Sequence, residues 1–190
     1  MRRGFKAEAE RVAARTVAQL GARPDRPIDI RALAAHLGVD VFSAADVIDI
    51  ADLRELEALQ PGVFSAATFH LPGERVVAVY NPLNEPGRTN SDIAHELAHI
   101  LLNHDVREVQ QMAGHTFFTC DPDQEEEANW LAGCLLLPRP LLLREAYAGT
   151  TVDSLAARYT VSPTMARFRL NTSGVLLQVQ RSRRAQRPSA

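Results

Sequence analysis

The sequence predicts an α+β fold, in which a mainly helical domain carries a small antiparallel β-sheet and ends in a helix-turn-helix-like segment. Three observations support this prediction. Apolar residues recur at helical spacing over much of the 190 residues, two runs rich in β-branched and aromatic residues flank a turn near the middle, and two short helical runs separated by a tight turn lie near the end. A chain of this length can bury one apolar core and carry a small appendage.

The N-terminal part is expected to be helical with one short strand. Residues 5–20 carry apolar side chains at helical spacing, and Asp29 can cap a shorter helix over residues 30–37. Residues 39–42 form a short β-type run. Residues 47–59 mix acidic and aliphatic side chains, so their pattern leaves the type of element open.

The middle of the chain is expected to hold a β-hairpin followed by a helix. Residues 63–70 and 75–80 are rich in β-branched and aromatic side chains, and residues 71–74 between them supply turn chemistry. Residues 81–90 are expected to form a loop, because they contain two prolines and a glycine. A helix over residues 92–104 then follows.

A second long helix is expected over residues 122–137, because Asp121 can cap it and a proline occupies its first position. Beyond it we expect a short helix, a helix-turn-helix-like pair, a strand and a disordered basic tail, at residues 140–148, 153–170, 175–179 and 181–190. The predicted organisation has four parts: an N-terminal helix and linker, a main domain, the helix-turn-helix-like segment and the tail, at residues 1–27, 28–148, 149–180 and 181–190.

The composition is that of an ordinary globular protein, with 46% hydrophobic residues, 23% charged residues and a net charge of -2. It excludes a disordered or strongly basic chain. Cys120 and Cys134 are too few for a disulfide scaffold or a cysteine-based zinc site. The beginning of the chain lacks the apolar stretch of a secretory signal, and the apolar run at residues 131–143 is interrupted by prolines and cannot span a bilayer. We therefore expect a cytoplasmic protein.

The strongest chemical signal is the segment His95-Glu96-Leu97-Ala98-His99. Its two histidines lie one turn apart on the same face of a helix, close enough to share an ion. Zinc accepts nitrogen ligands at about 2.0–2.1 Å in tetrahedral geometry, so the pair supplies two corners of a site. Glu96, next to that face, is placed to hold a metal-bound water and to take its proton.

The alternative is that these polar residues lie on an ordinary solvated helix face, because the spacing arises by chance in about one chain per few hundred. The flanking residues count against this alternative. Ile93, Leu97, Ile100 and Leu101 are apolar, which is typical of a buried helix. We therefore favour a zinc site.

A third ligand has to come from outside this helix. One zinc-peptidase pattern requires a glycine and a histidine at positions that are here Leu102 and Asp105, so that pattern does not apply. His104 lies five residues after His99 and is expected to turn away from the metal face, as a surface or helix-end histidine.

The acidic run at the start of the second long helix offers a carboxylate instead. Some of its acids serve only the positive end of the helix dipole, but one of them is sufficient for the metal. Glu125 is preferred because Asn129 shares its face and can orient a ligating histidine or the carboxylate. Glu126 remains the alternative.

The segments 95–102 and 125–132 together resemble the ImmA/IrrE family of metallopeptidases, and the stretch 135–138 resembles the closing part of the family motif. The resemblance extends over about residues 28–171. Two positions depart from the family pattern, since Asn103 stands where histidine is common and Leu131 stands where phenylalanine is common.

This resemblance implies a zincin-like domain with one zinc ion per chain and a gluzincin-like site. It implies His95 and His99 as ligands, Glu125 as the third ligand by motif position, and Glu96 as the catalytic base. The implied function is a zinc-dependent endopeptidase that acts in transcription regulation or stress responses. Its implied partner is a protein substrate, a helix-turn-helix repressor.

Two other functions remain open from the sequence. The protein could be a metal-binding regulator that binds a repressor without cutting it. It could also be a DNA-binding regulator that uses residues 153–170, although the chain is slightly acidic and the second helix of this segment has few base-reading side chains.

Two details of the catalytic site also stay open. Tyr80, Asn81 and His115 are candidates for a donor to the developing oxyanion. The strand at residues 75–80, if it borders the cleft, offers an edge to which an extended substrate can add.

Overall fold

Helices make up most of the computed structural model, which describes residues 1–62, 64–104, 109–112, 115–118 and 121–185. The predicted α+β class is confirmed. The described helices are α1 (Phe5–Gln19), α2 (Ile30–His36), α3 (Ile50–Leu59), α4 (Pro86–Leu101), α5 (Pro122–Leu136), α6 (Arg139–Ala148), α7 (Val152–Tyr159), α8 (Pro163–Thr172) and α9 (Val175–Ala185). The described strands are β1 (Val39–Ser43), β2 (Ala66–Leu71), β3 (Arg75–Tyr80), β4 (Val109–Met112) and β5 (His115–Phe118). Among these helices, none is both long and apolar enough to cross a membrane.

The main sheet has the order β1-β3-β2 and is mixed rather than antiparallel throughout. The predicted hairpin is present, with β2 antiparallel to β3 and Leu71 opposite Arg75. The short strand β1 pairs parallel to β3, with Val39 opposite Val76. A parallel neighbour needs a long crossover connection, and here α3 and β2 lie in that connection. The strands β4 and β5 form a separate antiparallel pair.

The helix α4 begins six residues earlier than its sequence pattern indicates. Pro86 occupies its first turn, where the missing N–H costs no helical hydrogen bond. Position 87 needs a glycine because the turn between α7 and α8 passes close to it. A Cβ atom at position 87 would lie 2.6 Å from the carbonyl oxygen of Val161. The residues that signal a loop in the sequence therefore begin the helix that carries His95 and His99.

The centre of the molecule is the packing of α4 against α5. Both helices carry fully buried alanines at this contact, Ala94 and Ala98 on one side and Ala128 on the other, which lets the two backbones approach closely. The second half of α5 is buried on every side, at residues 130–136. Burial of one of its leucines is worth about 1.5–3 kcal/mol, so this helix is the main element of the core.

The helix-turn-helix-like segment packs into the same core. Asn90 donates to the carbonyl of Thr160 at 2.9 Å, and Ser91 accepts from the backbone N–H of Ser162 at 2.9 Å. Leu155 at the start of the segment is fully buried. The fully buried Arg169 donates to the carbonyl of Leu137 at the end of α5. These contacts attach the segment to both helices of the central pair.

The last part of the chain differs from the sequence-based expectation. The expected strand at residues 175–179 is wrong, because these residues begin α9, in which Val175 and Val179 are buried one turn apart. The tail was expected to be disordered from Arg181, but residues 181–185 continue this helix. Residues 186–190 lie outside the described part of the chain.

Candidate metal centre

Three side chains converge where α4 and α5 lie side by side. His95 and His99 project from one face of α4, and their Nε2 atoms are 3.0 Å apart. Glu125, from the first turn of α5, brings Oε2 to 3.1 Å from Nε2 of His95 and Oε1 to 3.5 Å from Nε2 of His99. Among the described residues, these three offer donor atoms that all lie within 4.8 Å of one another.

The spacing of these donors fits a tetrahedral zinc ion. Two ligand atoms bound at about 2.0–2.1 Å at the tetrahedral angle lie about 3.3 Å apart, and the three measured separations fall on both sides of that value. Two imidazoles and one carboxylate leave the fourth corner open, as zinc sites in hydrolases require. The chemistry of the donor set therefore suits zinc better than a hard cation such as magnesium.

The alternative ligand, Glu126, lies outside this cluster. Its side chain is 55% exposed and one carboxylate oxygen is 3.4 Å from the amino group of Met1. Glu125 and Glu126 are separated by about 100° around the axis of the helix, so only one of them can face α4. The structure brings Glu125 to the histidines.

Asn129 lies one turn after Glu125 and contacts the first histidine. Its Oδ1 atom is 3.2 Å from Nδ1 of His95. A proton on this Nδ1 leaves the lone pair of Nε2 directed at the cluster, and an acceptor behind a ligating histidine selects that tautomer. The structure thus places Asn129 where the sequence pattern expected an orienting residue.

Glu96 is almost fully buried, with 5% of its surface exposed, beside this cluster. Its Oε2 atom accepts a hydrogen bond from the hydroxyl of Thr68 on β2 at 2.8 Å. The strand β2 therefore orients the carboxylate that the motif places next to the histidines. No sequence signal indicated Thr68, because it lies in a different element and has no motif of its own.

His104 lies at the end of α4, one of the two positions expected for it, but it packs against His99, so the expected surface position is wrong. Its side chain is only 7% exposed, and its Nδ1 atom is 3.0 Å from Nδ1 of His99. The expectation assumed a continuous helix, but α4 ends at Leu101 and the chain reverses at Asn103, whose φ is 51°. The reversal returns His104 to the histidine one turn back.

Glu127 is also nearly buried and lies behind His104, with Oε2 3.6 Å from Nε2 of that histidine. Its Oε1 atom accepts hydrogen bonds from the backbone N–H and from Nε of Arg2, at 2.9 and 3.0 Å. Burial raises the pKa of Glu127, but the hydrogen bonds and the charge of Arg2 outweigh it, so the pKa lies below its ordinary value. Burial lowers the pKa of His104, and the charge of Glu127 offsets this only in part.

A cleft of about 800 Å³ opens over His95, Glu96 and Glu125. One wall comes from the beginning of β2, and the opposite wall comes from α8 and the turn before it. Burial raises the pKa of Asp92 at the edge of the cleft, and the charge of Arg88 offsets this only in part. The residues that form the two walls are Ser65 and Ala66 on one side and Ser162, Thr164, Met165 and Phe168 on the other.

The three candidates for an oxyanion donor lie in different settings. Asn81 is fully buried and uses both ends of its amide, donating to the carbonyl of Phe64 and accepting from the N–H of Leu83. Tyr80 packs beneath the guanidinium group of Arg31, 4.9 Å from the ring centre. His115 belongs to β5, and its side chain lies outside the described part of the structure.

Comparison with known proteins also points to a peptidase. The model of a peptidase family, described as the IrrE N-terminal-like domain, matches residues 34–171, which include α4, α5 and the cleft. Among the curated proteins, none matches the chain. Because the matched region covers well over half of the sequence, this chain belongs to the family of IrrE N-terminal-like peptidase domains.

Proposed function

We propose that the protein is a zinc-dependent endopeptidase. The observation that carries this proposal is the cluster of His95, His99 and Glu125, whose donor atoms are 3.0–3.5 Å apart and of which His95 and Glu125 line an open cleft. Glu96 lines the same cleft next to these ligands. A hydrolase needs an ion with an open coordination position, a base beside it and room for the substrate, and this site combines the three.

The proposed reaction is the hydrolysis of a peptide bond. His95, His99 and Glu125 would hold a zinc ion, which would serve as the Lewis acid for the scissile carbonyl and for the attacking water. Glu96 accepts the proton of the attacking water and delivers it to the nitrogen of the leaving amine. The hydroxyl of Thr68 holds the carboxylate of Glu96 in the orientation for this transfer.

The substrate is proposed to bind as an extended segment along β2. The strand β3 lies between β1 and β2 in the sheet, so the earlier expectation that β3 offers an edge does not apply. Among the described strands, β2 pairs with β3 alone, and it begins at the wall of the cleft. A flexible part of a partner protein can add to this edge through backbone hydrogen bonds.

The proposed partner is a helix-turn-helix repressor, as the resemblance implies. Acidic groups of the cleft support this choice, because Asp92, Glu125 and Glu126 line it and attract basic segments. DNA-binding proteins of this class present such basic segments. Four acids line the cleft, Asp92, Glu96, Glu125 and Glu126, against one arginine, Arg88, so a formal charge of about -1 remains even with the two positive charges of a bound zinc ion.

Direct reading of DNA by α7 and α8 receives less support from the structure. Arg169 is fully buried, and Arg158 is paired with Glu145 at 2.6 Å. Met165 and Phe168, on the helix that would enter the major groove, line the peptidase cleft. A recognition helix needs its first turns free to reach base edges, whereas this helix forms a wall.

Metal analysis tests the site directly. The purified protein should hold about one zinc ion per chain, and the content should fall in His99→Ala and Glu125→Ala. Glu126→Ala is the matched control, since it removes a neighbouring carboxylate that lies outside the cluster and should leave the zinc content unchanged. Loss of zinc in Glu126→Ala but not in Glu125→Ala would contradict the assignment.

Digestion of unfolded casein and of a mixed peptide library tests the activity. The zinc-loaded protein should cut, and Glu96→Gln should bind zinc normally but lose the activity by several orders of magnitude. The same variant separates cleavage from sequestration. If Glu96→Gln inhibits a repressor as well as the original protein does, the protein acts by binding and the peptidase proposal fails.

A further inference from the structure

The second ligating histidine has a partner that does not belong to the motif. His99 faces the proposed zinc position with Nε2, which is 3.5 Å from Glu125. Its other ring nitrogen, Nδ1, is 3.0 Å from Nδ1 of His104. The two rings meet edge to face, with centres 5.0 Å apart. His104 is therefore in hydrogen-bonding contact with the side of His99 that points away from the metal position.

The end of α4 creates this contact. The N–H of Asn103 bonds to the carbonyl of Ile100, and the N–H of His104 bonds to the carbonyl of His99, both at 3.0 Å. This pair of bonds, with Asn103 in the left-handed region, is the Schellman motif that ends many helices. In that motif the residue after the left-handed position contacts the residue one turn back. Here those two residues are His104 and His99.

Zinc binding allows only one arrangement of protons on the rings of His99 and His104. A metal at Nε2 of His99 requires its proton on Nδ1. Nδ1 of His104 must then be an acceptor, so His104 carries its proton on Nε2. Among the described residues, this buried Nε2 atom has no hydrogen-bond partner within 3.5 Å, and Oε2 of Glu127 lies 3.6 Å away. A shift of about 0.5 Å would bring these two atoms to ordinary hydrogen-bonding distance.

Glu127 is held in place from its other side. Its Oε1 atom accepts from the backbone N–H and from Nε of Arg2, and its Oε2 atom, which faces His104, also accepts from this Nε at 3.2 Å. A carboxylate that is 96% buried needs such partners, because an unpaired buried charge is strongly unfavourable. The line of contacts thus runs from Arg2 through Glu127 and His104 to His99.

The first ligand has an equivalent partner. Asn129 places its Oδ1 atom 3.2 Å from Nδ1 of His95, as His104 places a ring nitrogen behind His99. Both ligating histidines therefore have an acceptor at the nitrogen that does not face the metal. An apolar residue at position 104 would fill the same volume without accepting a hydrogen bond. The shared acceptor therefore favours a positioning role for His104 over simple packing.

We propose that His104 is a positioning residue of the zinc site, which selects the tautomer of His99 and is itself oriented by Glu127 and Arg2. This inference rests on the proposed zinc site and extends it to residues outside the motif. Partners of this kind commonly change metal affinity about 10–100-fold when they are removed.

The test is the zinc dissociation constant of the full chain, measured by competition with a chromophoric chelator. His104→Leu should bind zinc about 10–100-fold more weakly, because it fills the space without an acceptor. His104→Asn should recover most of the affinity, since its Oδ1 atom can occupy the place of Nδ1, as Asn129 does behind His95. Glu127→Gln should weaken binding less than His104→Leu. His36→Ala, at an exposed histidine of α2, is the control.

Nitrogen-15 spectra of the imidazole groups supply a second measurement that a purely structural role would not change. In the zinc-loaded protein, the Nδ1 proton of His99 should be protected from exchange with water, and this protection should disappear in His104→Leu and return in His104→Asn. Thermal unfolding of the metal-free variants shows whether a weaker zinc affinity results instead from a loss of folding.

The outcomes separate this inference from the proposed function. If His104→Leu folds and binds zinc as tightly as the original protein, His104 has no positioning role and the inference is wrong. Absence of zinc binding in the original protein overturns it as well. If zinc affinity depends on His104 as stated but no peptide is cut, the inference stands and the peptidase proposal fails.

Discussion

Replacing Arg169 by methionine tests whether α8 is a fixed wall of the cleft. This side chain is fully buried. Its guanidinium group donates to the carbonyl of Leu137 from Nε at 3.3 Å and from Nη2 at 3.2 Å, and to Glu10 at 2.8 Å. The carbonyl of Leu137 is one of those left unpaired at the end of α5, where no helical N–H can reach it. Arg169 therefore links α8 to α5 and to α1.

Methionine keeps most of the apolar stem but removes the charge. Loss of the charge-assisted bond to Leu137 costs about 1.5–3 kcal/mol, because a buried carbonyl loses its donor. Loss of the ion pair with Glu10 adds little to this cost, because the side chain of Glu10 is 33% exposed and water can hydrate its carboxylate in the variant. Nη1 of Arg169 has no hydrogen-bond partner among the described residues. Methionine removes this unfavourable buried donor, which offsets part of the lost stability. We expect the free energy of unfolding to fall by about 2–3 kcal/mol.

Urea unfolding followed by circular dichroism measures this change. The midpoint should fall while the slope with denaturant stays the same, which indicates a change in stability rather than in the extent of unfolding. Arg167→Met, at an exposed position of the same helix, is the matched control and should change stability by less than about 0.5 kcal/mol. An equally small effect of Arg169→Met would refute the argument that this arginine fastens α8 to the core.

Three further predictions concern the cleft and its supports. Gly87→Ala should lower stability by about 1–2 kcal/mol in thermal unfolding despite its better helix propensity, because the new Cβ would lie 2.6 Å from the carbonyl oxygen of Val161; a gain in stability would contradict the close approach. Phe168→Ala should raise KM for peptides about 5–30-fold with little change in kcat, because it removes an apolar surface of the cleft wall; an unchanged KM would exclude Phe168 from substrate binding. Burial raises the pKa of Glu145, but bonds from Tyr159 and Thr150 and the charges of two arginines outweigh it and place the folded-state pKa below the ordinary value of 4.5. A lowered pKa stabilises the folded state above pH 4.5, so the advantage over Glu145→Gln should be complete at neutral pH and should disappear as the pH falls through the folded-state pKa; a difference that does not change with pH would contradict it.

The candidate metal site and its cleft are built from parts of the chain that are distant in sequence. The proposed ligands come from α4 and α5, the hydrogen bond to the proposed base comes from β2, and one wall of the cleft comes from α8. Each of these elements is tied to the central helix pair by contacts between side chains, so the positions of the proposed catalytic groups depend on the whole core. Rigid elements hold reacting groups more accurately than loops do, and here the proposed ligands lie on two helices.

Much of the site could be predicted from the sequence because its signals are local. Residues four apart on a helix share a face whatever surrounds the helix, which placed His95 and His99 together. Asp121 followed by a proline starts a helix through its own capping geometry, and α5 begins there, with the side chain of Asp121 accepting from the N–H of Asp123. These features depend on bonds and torsion angles within a few residues.

Other features depend on contacts between elements, which periodicity cannot report. The second half of α5 is apolar on every side, so its pattern does not indicate which side faces α4, and Glu126 stayed an alternative to the preferred Glu125. His104 required knowledge of where α4 ends, and a helical projection that continued past Asn103 placed it on the wrong side. Thr68 had no signal at all, because its role exists only where β2 crosses next to Glu96.

The sequence by itself determined the fold class, the two motif helices and the pair of histidines, since helical spacing and capping are properties of short segments. Only the tertiary structure decided that Glu125 rather than Glu126 lies beside them, that His104 stands behind His99, and that the helix-turn-helix-like segment forms a wall of the cleft. The physical reason is that these outcomes depend on how far one helix is rotated against another, and that rotation is set by the packing of side chains distant in sequence.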